Sequence, residues 1–205
     1  MAKDPRFEND LPQADSVGEY FTAYARDLAK AAGKVSRENI QEAYDLLAQV
    51  LKRGHRIYVA GNGGSCAIAD HLCCDFMKGT HVAGKPALKV HSLTSSPALL
   101  PALANDFGYE PSLSRQVEML GESGDVLILI SSSGNSPNIV QAVQAAHAKK
   151  MKVIGLCGFS GGKLAAMADV PLYVPVHNYG IAEDVHQMLM HTFAQFLAQS
   201  RDSEK

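Results

Sequence analysis

Tryptophan is absent from this chain of 205 residues, aromatic residues amount to 7%, and cysteine occurs only four times. So few cysteines exclude a disulfide scaffold, and a chain this long needs none: it buries roughly 70% of its unfolded surface in its own core. Cys66, Cys73, Cys74 and Cys157 match no zinc-ligand spacing, and the adjacent Cys73 and Cys74 are poorly placed to bridge one another. Free thiols in a reducing cytoplasm are therefore expected. Excess charge is lacking too. A formal net charge of -2 leaves no basic footprint for nucleic acid or for an anionic membrane surface, so neither is expected as a partner. No apolar run approaches the roughly 18 residues of a membrane span, and the first residues have no apolar h-region of a secretory signal. Neither G-x-x-x-x-G-K-[ST] nor G-x-G-x-x-G occurs, which removes the support for a P-loop or a dinucleotide fingerprint.

What is present alternates between two periods. The length predicts one domain, residues 16–205 with its N-terminal helices included, behind a flexible leader of residues 1–15. Residues 16–53 carry apolar positions at helical spacing (Val17, Phe21, Tyr24, Leu28, then Ile40, Tyr44, Leu47, Val50 and Leu51), with a break near Gly33–Ser36. Short β-branched runs follow at residues 56–60, 87–91, 125–130, 152–156 and 171–174. Between or after them, residues 65–78, 111–120, 137–149, 162–167 and 183–199 read as helices. Continuous apolar strands separated by helix-length segments predict a three-layer αβα sandwich around a five-stranded parallel sheet, flavodoxin-like in class. In such sheets ligands bind beyond the carboxyl ends of the strands.

Three loops at that edge are rich in small residues. Gly61-Asn62-Gly63-Gly64-Ser65 follows the first strand, Ser131-Ser132-Ser133-Gly134-Asn135-Ser136 the third, and Cys157-Gly158-Phe159-Ser160-Gly161-Gly162 the fourth. Each pairs backbone freedom with a helix amino terminus, a natural anion site, and the serine loop adds hydroxyl donors. One such loop alone is an ordinary capped turn. Three on one sheet edge point to a phosphorylated small molecule. Acid and imidazole groups form a second pattern. His71 and Asp75 lie four apart on one helix, and Glu183 and His191 eight apart on the last, so each pair shares a side of its helix. Such a set can bind zinc or supply a general base and acid. His186 points away from His191. Asn105-Asp106 is expected in a loop.

Taken in order, Gly61–Ser65 with Asp70-His71, Asn105-Asp106-Phe107-Gly108, Gly124–Leu127, Ser131–Ser136 and the helix carrying His186 and His191 resemble the phosphoheptose isomerases. These are sedoheptulose-7-phosphate isomerases within the sugar-isomerase (SIS) superfamily, and the resemblance runs over about residues 16–198. It implies a homotetramer with sites at subunit interfaces and a ketose–aldose isomerisation through an enediol, serving a heptose route toward surface polysaccharide such as lipopolysaccharide. It also implies one zinc ion per subunit. Asn62, Gly63, Gly64, Ser65, Asn105 and Asp106 correspond to sugar-phosphate contacts, and Ser131, Ser132, Ser133 and Ser136 to the phosphate loop. His71 corresponds to a metal ligand, and His191 to a ligand that is also the catalytic acid.

The chain departs from that pattern at defined places. Asp75 stands where many members carry the catalytic glutamate, so it is expected to be base, metal ligand and substrate contact together. Glu183 stands where they carry a glutamine ligand and is expected at both metal and substrate. Gly180 replaces an acidic residue, and Lys78-Gly79 offers no equivalent of a substrate-contacting arginine. Two other readings stay open: a non-catalytic relative that binds the replication initiator protein, and a sugar-phosphate sensor.

Overall fold

The structure, a computed structural model, describes residues 10–203; the first nine residues of the expected leader lie outside them. Two helices come first, α1 (Val17–Ala32) and α2 (Arg37–Arg53). Ser16 and Ser36 cap them through side-chain oxygens that accept from the N–H groups of Glu19 and Asn39, which explains the break between them. The sheet strands are β1 (Arg56–Gly61), β2 (Lys89–Ser92), β3 (Val126–Ser131), β4 (Lys152–Cys157) and β5 (Val170–Tyr173). All pairings are parallel, in the order β2-β1-β3-β4-β5. That is the doubly wound arrangement expected from the alternating periods.

The remaining helices are α3 (Gly64–Cys74), α4 (Leu99–Phe107), α5 (Ser112–Leu120), α6 (Pro137–Ala148), α7 (Gly162–Met167) and α8 (Tyr179–Ser203). Successive side chains of a strand point to opposite faces, so each strand feeds two cores. Ile57, Val59, Ile128, Ile130, Ile154 and Leu156 meet α2, α3 and α8 on one face. Tyr58, Ala60, Leu127, Leu129 and Val153 meet α5, α6 and α7 on the other. Every residue of β3 is buried, the mark of a central strand covered on both sides.

Two expectations need correction. Asn105 and Asp106 lie in the last turn of α4, not in a loop; Pro101 is tolerated because it falls in the first turn, where its missing N–H has no partner to lose. The helix expected over residues 65–78 is α only to Cys74, and Asp75–Gly79 then forms a π turn. Single π turns recur at functional sites because they shift side chains out of the α register. All four cysteines are free, as expected. Burial pushes the Cys73 and Cys157 thiols up to about 12, which keeps them unreactive. No helix among the described residues is long and apolar enough to cross a membrane.

Candidate active site

β1 and β3 are neighbours, while the chain leaves them toward opposite edges of the sheet. The switch point between their carboxyl ends is where such sheets open a ligand crevice. Asn62, just after β1, and Asn138, in the first turn of α6, exchange two amide hydrogen bonds there. Each Nδ2 donates to the other's Oδ1 at 2.9 Å. The Tyr109 hydroxyl donates to the same Asn62 oxygen at 2.7 Å. These three side chains tie the first loop, the serine loop's helix and the segment after α4 into one rim.

Gly63 opens α3 with a positive φ of 55°, and Gly64 matters for a different reason. A Cβ at Gly64 would stand 2.7 Å from Oε2 of Glu183, so only glycine lets that carboxylate come against the start of α3. Glu183 is half-buried there, and burial, reinforced by neighbouring Asp184, holds its carboxyl above the usual range. Ser65 is buried at the start of the same helix.

In the serine loop, Ser131 and Ser132 are buried. Ser131 Oγ accepts from the Gly134 N–H at 3.2 Å. The Ser132 carbonyl accepts from the Gly158 N–H at 2.8 Å, joining this loop to the one after β4. Ser133 Oγ accepts from the Asn135 N–H at 3.3 Å. Two hydroxyls are left without structural employment: Ser132 Oγ is buried with no hydrogen-bond partner, and Ser136 Oγ makes no capping bond to α6. An orphaned buried hydroxyl is costly unless a ligand completes it.

The acid and imidazole groups meet beside this crevice. His71, on α3, and His191, on α8, each place Nε2 at 3.5 Å from Asp75, one on Oδ1 and the other on Oδ2. Their rings stand edge to face with centroids 5.1 Å apart. Gln187, one turn before His191, has its amide nitrogen 3.1 Å from His71 Nδ1 and 3.0 Å from His191 Nε2. An amide N–H donates, so both of those ring nitrogens accept. His191 Nε2 and Asp75 Oδ2 also stand 3.5 Å apart. That gap suits a cation.

Among the described residues, His71, Asp75 and His191 form one group whose ligand atoms all lie within 4.8 Å of one another. Two neutral imidazoles and a carboxylate are a fitting donor set for a divalent metal with an open position. Glu183, expected with them, instead faces Gly64. Asn105 and Asp106 are exposed and pair with each other, Asn105 Nδ2 donating to Asp106 Oδ1 at 2.9 Å. His186 is fully buried, as its expected direction away from His191 requires, and burial pushes its imidazole down to about 4.

Sequence reasoning missed Gln187, Asn138 and Tyr109. Gln187 had a signal, since it precedes His191 by four residues and so shares its helix face. Asn138 and Tyr109 had none, because their common partner Asn62 reaches them only through the tertiary fold.

Comparison with known proteins decides the family. The SIS domain model matches residues 19–158. The phosphoheptose isomerase of Thiobacillus denitrificans is 38% identical over 184 residues, covering 88% of this chain and 92% of the relative. The chain belongs to the phosphoheptose isomerase family. The family member from Aeromonas salmonicida is 39% identical over 190 residues, 92% of this chain and 93% of its own. The solved phosphoheptose isomerase of Neisseria gonorrhoeae superposes with a TM-score of 0.82 at 35% identity, covering 90% of this chain and all of that one. The SIS fold, the family membership expected from the motifs and the isomerase reading are borne out.

Proposed function

We propose that the chain isomerises sedoheptulose 7-phosphate to the aldose D-glycero-D-manno-heptose 7-phosphate. The observation that carries this reading is the pairing of Asp75 with both His71 and His191 at 3.5 Å, beside the switch-point loops. A carboxylate next to two imidazoles suits proton transfer on a small sugar. The serine loop and the amino terminus of α6 receive the phosphate, through Ser131, Ser132, Ser133 and Ser136 and the helix's positive end. Asn62, Gly63, Gly64 and Ser65 line the sugar; Asn105 and Asp106 belong to the same reading on the grounds of the family match.

Asp75 takes a proton from C1 of the ketose while His191 moves a proton onto the C2 carbonyl oxygen, giving the enediol. Asp75 then returns a proton to C2, and the C1 hydroxyl gives its proton back to His191 as the aldehyde forms. Gln187 positions both rings through its amide nitrogen, and His71 completes the carboxylate's setting. Zinc, when bound by His71, Asp75 and His191, supplies a Lewis acid that stabilises oxyanion charge during the enediol step. Glu183, with its raised carboxyl, is a further ligand or substrate contact in this reading.

A reducing cytoplasm and a heptose route toward lipopolysaccharide fit the free thiols and the family. A homotetramer fits the apolar side chains that α1 leaves exposed, Val17 at 88% and Phe21 at 73%. The domain reading remains one unit over residues 16–205 behind a short leader. Incubating the purified protein with sedoheptulose 7-phosphate and following the aldose product tests the proposal. Turnover that also requires the 7-phosphate supports it, and unchanged ketose in the presence of zinc overturns it.

A further inference from the structure

We infer that a second ligand site, for a phosphorylated small molecule with an apolar or aromatic body, lies between the carboxyl ends of α2 and α8. A cavity of about 780 Å³ opens there, within the range of small-molecule pockets and large enough for a nucleotide. Four cationic side chains line it: Lys52 and Arg53 from the end of α2, Lys85 from the segment before β2, and Arg201 from the last turn of α8. No acidic residue is among its described lining. Tyr44 and Leu197 give it an apolar wall.

Arg201 carries the argument. It is 95% buried, being 5% exposed, yet its Nε and Nη1 have no hydrogen-bond partner. Only Nη2 is used, donating to the Pro86 carbonyl at 2.6 Å. The Lys85 ammonium donates to the Arg201 carbonyl, so the two segments clasp each other at the cavity wall. A guanidinium taken out of water without an acceptor is costly, and an anion is the group that relieves it. Both orphaned nitrogens are covered in this structure, so an anion in the cavity would engage them only after the side chain swings outward. A planar guanidinium flanked by further cations suits phosphate oxygens, which it can engage in bidentate fashion.

The site is separate from the isomerase centre. Arg201 lies ten residues beyond His191 on the same helix, about 15 Å along its axis. Neither Lys52 nor Arg53 takes part in the chemistry, so their replacement leaves basal turnover unchanged.

Isothermal titration calorimetry of the whole protein with ATP and with inorganic pyrophosphate tests the inference. ATP is expected to bind, and more tightly than pyrophosphate because of the apolar wall. Lys52→Ala/Arg53→Ala should weaken ATP at least tenfold without changing isomerase turnover, and Arg201→Gln should weaken it further. Ser133→Ala, in the other site, should leave ATP binding intact. Absence of ATP binding at millimolar concentration, equal affinity in the Lys52→Ala/Arg53→Ala variant, loss of ATP binding in Ser133→Ala, or pyrophosphate binding as tightly as ATP would each overturn it.

Discussion

Replacing Asp75 by Asn keeps the shape of the side chain and removes its charge and basicity. Asp75 is 29% exposed and stands 3.5 Å from imidazoles that are 49% and 41% exposed. Polar contacts so open to water contribute about 1 kcal/mol or less each. In metal-free buffer the variant should therefore unfold within about 4 °C of the wild type. Catalysis is different, because the proton at C1 has no other carboxylate positioned between the two imidazoles. Loss of a general base costs about 10²- to 10⁴-fold, or roughly 2.7–5.5 kcal/mol in the barrier. The fall should appear in kcat, with KM for the sugar phosphate little changed, since the serine loop is untouched. Zinc content measured by elemental analysis should fall as well, because one of three donors is weakened. Full turnover by Asp75→Asn would refute the assignment of base.

Ser133→Ala should weaken phosphosugar binding by about 1.5–3 kcal/mol, the range for a hydrogen bond to a charged group, with little change in stability; calorimetry with the substrate checks both. Gly64→Ala should lower activity with little change in stability, because its Cβ would stand 2.7 Å from the end of the flexible Glu183 side chain and displace that carboxylate; wild-type turnover by Gly64→Ala contradicts a role for the contact. Buried His186 has its proton affinity pushed down to about 4 from 6.5, so the unfolded chain binds the extra proton between those values. Its contribution to stability is whole above pH 6.5 and is lost as pH falls toward 4; melting curves of the wild type and His186→Gln should converge across that window.

The strands were legible because each is a run of apolar, largely β-branched residues whose two-faced burial follows from the parallel sheet. β2 was the exception in its bounds: only Val90 and Ser92 of its four residues are buried, so its pattern alternates and fades into the preceding loop. α4 was hidden by Pro101 and by a polar ending that resembles a turn. At the site, His71 and Asp75 were readable from their spacing on one helix, and His191 from its residue type. The sequence did not reveal that Asp75 begins a π turn, which depends on how α3 packs under α8. Nor did it separate Glu183 from the histidine pair. Eight residues on a helix advance about two turns, or roughly 12 Å, so Glu183 and His191 share a side of α8 while meeting different ends of α3.

The central claim is that Asp75 and His191 move protons through an enediol in a site open to water. Conversion of sedoheptulose 7-phosphate in deuterated water, followed by NMR of the aldose, tests it most directly. With Asp75 29% exposed and His191 41% exposed, the abstracted proton exchanges with solvent before it returns. The aldose should then carry deuterium at C2. An aldose whose C2 hydrogen comes wholly from C1 of the ketose, with no solvent label, would contradict the account and indicate a hydride shift instead.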